Sequence, residues 1–407
     1  MGVDLHKRTN VAVVVDSYGD PLGKAMKFEN SPAAFPAWVA QVKERAGGKG
    51  IIFGLEDVHG LGRNLAGYLL QVGYTVKFTN AYLTKAERDS VNKTDRQDAL
   101  AVARITAKQT LRLPDADVDE LQWALIATVQ HRRGLVEEQT RAKNRLHALL
   151  AQSYPLYEGF FGEPFGKTAL AFWERHPSPS TLARVTVAEL GGFLREQSHY
   201  ALGEKQAQAI LGAISGMDRP RGYQTERDRL VKLLVRELRH LGELIKEAEA
   251  QMGELVAQTD YHLTDIPGID VVMAAELIAL IGDVTRFRKA EHFLAYTGIA
   301  PVVMGTGGNE NRFRSKFGRR ELLALFHRIA STQLVVHRRT GVPRNPEAKA
   351  YFEKHLGEQA KLPKEKQDRK VRKKALLSLM RQQAIRFYRL MKAQKYAAKE
   401  RRGPGAA

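Results

Sequence analysis

Four carboxylates stand where they could hold a metal ion: Asp4, Glu56, Asp95 and Asp98. Asp4 is flanked by Val3 and Leu5 in a short strand-forming run. Glu56 closes the apolar, strand-forming run 51–55. Asp95 and Asp98 lie three apart at the start of a predicted helix, which puts both on one face. Such a set suits phosphodiester chemistry. Hard oxygens favour Mg²⁺, which binds phosphate oxygens while keeping some of its water. Two such ions, about 4 Å apart, can activate a hydroxyl and stabilise a leaving oxygen. The same residue types also cap helices and end strands without any ligand. Spacing alone leaves both readings standing.

The elements that must position these groups can be read around them. Residues 11–15 form a β-branched run, followed by a turn at 17–21. Residues 24–29 predict a second strand, and Ser31 an N-cap for a helix through Glu44. Residues 47–50 break it. Residues 51–55 predict a buried strand, 61–71 a helix and 76–78 a further strand. This alternation predicts an α/β layered domain. Two long helices follow, over 119–152 and 225–258. The second carries Val231, Leu234, Leu238, Leu241, Ile245, Ala248, Met252 and Leu255, a sustained heptad seam. It fits an amphipathic helix packed on its own domain, an antiparallel coiled-coil arm or a dimer contact. Pro267 and Gly268 sit between apolar helical stretches, a helix-hairpin-helix-like pattern. A Gly-rich loop spans 304–308, and a basic segment, 312–320, leads into a helix. The predicted units are 1–112, the α/β domain; 113–260, the helical arm with its insertion; 261–345, a mostly α-helical domain; and 346–407, a basic helical tail.

The chain has 407 residues, enough for several domains. Its formal charge is +19, which predicts a polyanionic partner. It has no cysteine, which excludes disulfides and Cys-ligated metal sites. No apolar run is long enough to cross a membrane, and the N-terminal segment lacks a signal-peptide pattern. These features predict a cytoplasmic protein.

The sequence resembles the DEDD transposases of insertion sequences, the bridge-RNA-guided recombinases. The resemblance rests on Gly2-Val3-Asp4-Leu5-His6-Lys7, on Gly54-Leu55-Glu56-Asp57 and on the run from Lys93 to Arg104. It continues in Ile266-Pro267-Gly268-Ile269, Tyr296-Thr297-Gly298-Ile299-Ala300-Pro301 and His327-Arg328-Ile329-Ala330. It implies a RuvC-like, RNase H-fold domain whose acidic tetrad falls on Asp4, Glu56, Asp95 and Asp98 and binds Mg²⁺. It also implies a second domain whose serine attacks DNA and becomes covalently attached. Here the matching position is Thr306, in Gly305-Thr306-Gly307-Gly308. Threonine can act as a nucleophile when a base or metal takes its proton, but it is more hindered than serine. Ser315, the nearest serine, matches a different family position, with the role of a phosphate contact or helix cap. The resemblance further implies a composite site across subunits, a homodimer assembling to a tetramer, donor and target DNA, a structured bridge RNA and a prokaryotic, nucleoid-associated setting.

The basic residues supply candidate nucleic-acid contacts. They are Arg132, Arg133, Arg141, Lys143 and Arg145 on the first long helix, and Arg312, Arg314, Ser315, Lys316, Arg319 and Arg320 after the loop. The segment 361–374 is also dense in lysine and arginine. Two other readings stay open. One is a junction nuclease that uses the four carboxylates and water. The other is a non-catalytic nucleic-acid-binding derivative.

Overall fold

The structure is a computed structural model of the full chain. It describes all residues except 57–59, 80, 88–93, 112, 117–118, 155, 216–221, 307–308, 315–317 and 403–407. For 81–82, 301–306, 309–314 and 402 it describes the backbone alone. The chain forms two compact units, Met1–Trp123 and Ala124–Ala407.

The first unit is built on a five-stranded sheet. Its strands are β1 (Gly2–Asp4), β2 (Thr9–Val13), β3 (Met26–Glu29), β4 (Ile52–Leu55) and β5 (Thr75–Phe78), in the order β3-β2-β1-β4-β5. β1 pairs antiparallel with β2 and β2 with β3; β1 pairs parallel with β4 and β4 with β5. Parallel neighbours need crossover helices. The helices of this unit are α1 (Phe35–Ala46), α2 (Arg63–Gln71), α3 (Ala81–Glu87) and α4 (Asp95–Gln109). α1 and α2 cover one part of the core with Phe35, Trp38, Val42, Leu65 and Leu69, all buried against Phe53 and Leu55 of the sheet. The helix predicted from Ser31 begins later, at Phe35. Pro36 lies in its first turn, where its fixed φ suits the helix and its missing N–H costs nothing. The Ser31 carbonyl instead accepts from the Ala34 N–H at 3.0 Å, closing a turn.

α4 lies directly against the sheet backbone, and two glycines make room for it. A Cβ on Gly2 of β1 would overlap the Ala103 nitrogen and the Ala99 carbonyl oxygen of α4. A Cβ on Gly54 of β4 would overlap the Thr106 Oγ1. On the helix side the contact is made by buried Ala99, Ala103 and Thr106. Small residues on both surfaces permit close approach of helix and strands, as dense packing requires.

The second unit starts within α5 (Glu120–Ser153), which returns in α9 (Gln224–Ala257). The two run antiparallel. Arg132 pairs with Glu249 at 2.6 Å, Gln139 lies 3.8 Å from a Cβ built on Gly242, and Arg145 pairs with Glu237 at 2.6 Å. Numbers rising along α5 meet numbers falling along α9. Between them lies a seam of Leu135, Ala142, Leu146 and Leu150 with Val231, Leu234, Leu238 and Leu241. The heptad pattern therefore serves an intramolecular helical hairpin. Its far end is filled by α6 (Lys167–Arg175), α7 (Val187–Gln197) and α8 (Glu204–Ala213). They pack around Tyr154, Phe172 and Trp173, all fully buried.

A second core holds the rest of this unit. It joins α10 (Val271–Ile281), α11 (Ala290–Tyr296), α12 (Arg320–Gln333), α13 (Pro346–Leu356) and α14 (Arg369–Arg402). Residues 346–402, set apart by charge as a basic tail, contribute Phe352, Leu379, Phe387 and Met391 to it. The turn at Pro267 and Gly268 follows a three-residue 3₁₀ turn, Leu263–Asp265, not a helix. It leads into α10, capped where Asp270 Oδ1 accepts from the Met273 N–H at 2.7 Å. Of the predicted loop at 304–308, residues 304–306 are strand, and 307–308 lie outside the described residues. β6 (Pro301–Thr306) pairs antiparallel with β7 (Asn309–Arg314). Val302 and Val303 favour the pleated conformation, and just two residues in the sequence separate the paired ends Thr306 and Asn309.

Replacing Gly54 by Ala should cost about 1–3 kcal/mol through overpacking against α4. The double variant Gly54→Ala/Thr106→Ala should recover part of that loss. Thermal or urea denaturation of both variants checks this; equal stability of Gly54→Ala and the parent would refute the close seat of α4.

Candidate active site

The sheet's parallel pairing sets up the site. Gly2 faces Gly54 and Val3 faces Leu55. One residue further along each strand come Asp4 and Glu56, at the carboxyl ends of adjacent parallel strands. Crevices there recur as ligand sites in parallel sheets. Glu56 is half-buried. α4 brings the other two acids. Thr94 is its N-cap, accepting from the Gln97 N–H at 3.3 Å, and Asp95 and Asp98 occupy the first turn. Negative charge there is favoured by the helix dipole. Asp98 is buried and Asp95 exposed.

His6 joins them. Its Nε2 lies 3.1 Å from Asp4 Oδ2 and 3.7 Å from Asp95 Oδ1. Ligand atoms of Asp4, His6 and Asp95 all lie within 4.8 Å of one another, the one such group among the described residues. Glu56 and Asp98 stand outside that tight group. The turn bearing His6 is pinned from two sides. The His6 N–H donates to Asn10 Oδ1 at 3.0 Å, and Asn30 Nδ2 donates to the His6 carbonyl at 2.9 Å. Asn10 is fully buried. These three residues carry no sequence prediction. The available signal is weak: in extended chain, residues 4 and 6 point the same way.

The Asp4 carboxyl is pushed up from 3.8 to about 6. Burial is the largest cause; the nearby charge of His6 pulls it down, and Asp98 and Asp95 push it up. Like-charged carboxylates resist ionising together. A cation among them would relieve that repulsion, so these residues fit a divalent ion. The oxygen donors suit a hard ion. The His6 nitrogen adds a ligand that also suits transition metals.

The other predicted residues fall elsewhere in the chain. Thr306 is the last paired residue of β6, and Gly307, Gly308, Ser315 and Lys316 lie outside the described residues. Arg312 and Arg314 belong to β7. The neck of this hairpin is tightly held. A Cβ on Gly318 would lie 2.5 Å from the Gly298 nitrogen, and Gly318 has φ +107°. The Arg319 N–H donates to the Tyr296 carbonyl at 2.9 Å. The Arg319 guanidinium donates to the Leu280 carbonyl at 3.0 Å and lies 3.2 Å from Tyr296 Oη. Tyr296 Oη donates to the same carbonyl at 3.1 Å. Arg319 therefore ties the end of α10 to both sides of the neck. Arg320 begins α12 and is exposed. On α5, Arg133 is exposed and Lys143 half-buried. Arg132 and Arg145 bridge to α9, and Arg141 lies 3.9 Å from Glu138.

Two family models match parts of the chain. Residues 1–155 match a family model of the DEDD IS110 type, described as a transposase. Residues 260–353 match one described as a transposase of the IS116/IS110/IS902 family. An uncharacterized insertion element IS116 protein of Streptomyces clavuligerus is 26% identical over 343 residues, 82% of this chain and 84% of that protein. An uncharacterized insertion element IS110 protein of Streptomyces coelicolor is 29% identical over 220 residues, 53% of this chain and 54% of that one. No helix of the described residues is long and apolar enough to cross a membrane.

Asp4 makes the site sensitive to pH. Its folded value lies above the unfolded one, so the folded chain binds the extra proton more tightly between about 4 and about 6. Metal-free stability should therefore fall as pH rises through that window. Divalent-ion binding, which needs the carboxylate, should strengthen across the same window and level off above it. Thermal melts with and without Mg²⁺ across this range check both trends. An Asp4→Asn variant that keeps the full pH dependence would exclude Asp4 as its source.

Proposed function

Since the chain belongs to the IS110/IS116 family of DEDD transposases and acts on DNA, we propose that it is a recombinase with an RNase H-like metal site and a separate hydroxyl nucleophile. The observation that carries this reading is the convergence of Asp4 and Glu56, from adjacent parallel strand ends, with the first turn of α4. The strand order, with two antiparallel pairings followed by two parallel ones, supports the RNase H-like assignment. Asp4, Glu56, Asp95 and Asp98 would hold Mg²⁺, with His6 at its margin. When bound, the ion polarises phosphate oxygens and favours the ionised form of a hydroxyl.

The chain's own residues do the rest. Thr306, at the end of β6, attacks the phosphorus of the scissile phosphodiester. A bond forms between its Oγ1 and phosphorus, and the bond to the 3′ oxygen breaks. The threonine proton passes to solvent and the departing 3′ oxygen takes one up, so the proton count is unchanged. The freed 3′-hydroxyl, or that of the other duplex, reverses the step on the protein-linked phosphate. Phosphoester bonds are conserved, so no nucleotide cofactor is needed. Ser315, in the basic segment that follows, is the second hydroxyl to be tested. Basic side chains beside the hairpin would balance charge developing on the phosphate. A structured element-encoded RNA would select donor and target, read through backbone and shape. Two or more copies would assemble to exchange two duplexes.

Covalent trapping tests the proposal. The protein is incubated with Mg²⁺, element-junction DNA and the flanking transcript, and adducts are mapped by mass spectrometry. An adduct on Thr306 is expected, abolished in Thr306→Ala and in Asp95→Asn. An adduct on Ser315 would move the nucleophile, and metal-dependent cutting without any adduct would replace the mechanism by hydrolysis. Arg319→Ala should slow adduct formation by at least about tenfold, the loss expected when a reacting group is misplaced by its support. DNA affinity should hardly change; lost affinity with unchanged rate would make Arg319 a DNA contact instead of a neck anchor.

A further inference from the structure

Between α13 and α14 lies an open groove of about 600 Å³. Its lining includes Glu347 and Tyr351 from α13 and Arg381, Gln382, Arg386 and Arg389 from α14. The three arginines repeat along one side of α14, at intervals of five and three residues. From first to last they span about 12 Å of helix, enough for about two or three neighbouring phosphates on one strand of a duplex. Among the described residues, Arg389 has no acidic partner within 4.0 Å. Arg386 has one, Glu347 at 3.0 Å, in a pair whose carboxylate is 78% exposed. Exposed ion pairs of this kind are weak and readily exchanged. Arg381 donates from Nε to the Ile299 carbonyl at 3.3 Å. Ile299 stands two residues before β6, so the groove is joined at one end to the base of the β6–β7 hairpin.

We propose that this groove holds the phosphodiester backbone of duplex DNA and leads it toward that hairpin. The guanidinium groups of Arg386 and Arg389 bind consecutive phosphates, with Arg386 leaving Glu347 to do so. Arg381 keeps its carbonyl contact and adds its charge. Tyr351 walls the groove opposite. Bidentate arginine contacts suit phosphate geometry. The direction of the track rests on the proposed nucleophile hairpin, but the binding site does not.

The test measures binding alone, so its failure is separate from failure of the covalent mechanism. Full-length protein is titrated with a short fluorescein-labelled DNA duplex over a series of salt concentrations, by anisotropy. Arg386→Ala/Arg389→Ala should lower the slope of log affinity against log salt by about two, since each phosphate contact contributes about 0.9. Glu347→Gln should tighten binding, because Arg386 no longer has a competing carboxylate. An unchanged slope in the double variant overturns the proposal. So does a loss confined to an RNA duplex of the same sequence, which would make the groove an RNA site. Should the double variant fail to melt cooperatively, Glu347→Gln decides alone: binding no tighter than that of the parent overturns it.

Discussion

The seat of α4 on the sheet is the constraint on which the first unit depends. Without side chains at Gly2 and Gly54, the helix touches the backbones of β1 and β4 directly. Its first turn then lies beside the ends of those strands. The site is thus made where three chain segments must come close, and closeness is set by missing atoms. A larger residue at either glycine would act on the carboxylates without touching them, by lifting the helix that carries two of them.

That closeness has an electrostatic consequence. Burial makes Asp4 give up its proton reluctantly, and nearby Asp98 and Asp95 add to this. His6 offsets part of this, from a turn that Asn10 and Asn30 hold in place. A cluster of this kind is poised for a cation, since the ion relieves the repulsion that the fold imposes. Affinity for metal and the cost of folding without it are two sides of the same arrangement.

The second unit uses different means to place its hairpin. The long α5–α9 pair is zipped by an apolar seam and by cross-helix ion pairs. At its base, a core shared by α10 to α14 supports the neck between Gly298 and Gly318. Arg319 shows how a basic residue can be structural: its guanidinium meets a helix-end carbonyl and a tyrosine hydroxyl. Arg132 and Arg145 are similarly engaged across the arm. The α13–α14 groove offers arginines with fewer commitments.

The alternation of strands and helices in the first unit, the two long helices and the placing of the four carboxylates at strand ends and in a helix's first turn were all legible from the residues alone. These are local matters: β-branched runs, capping residues and heptads act through near neighbours. The glycines at 2 and 54 were in plain view, yet what they face is Ala99, Ala103 and Thr106, far along the chain. His6 entered the site through a turn fixed by Asn30, and no periodicity reports that. Charge density marked 361–374 as basic and 346–407 as a tail; Phe387 was legible as an apolar candidate of its helix, but that it lies with Phe352 and Met391 in the core of α10 and α12 was not. Tertiary structure also turned residues 304–306 of the expected loop into paired strand, because pairing with 309–311 satisfies backbone groups that a loop would leave to water. Where a property depends on neighbours in sequence, the residues were enough; where it depends on which distant backbone comes within contact, only the folded chain could decide.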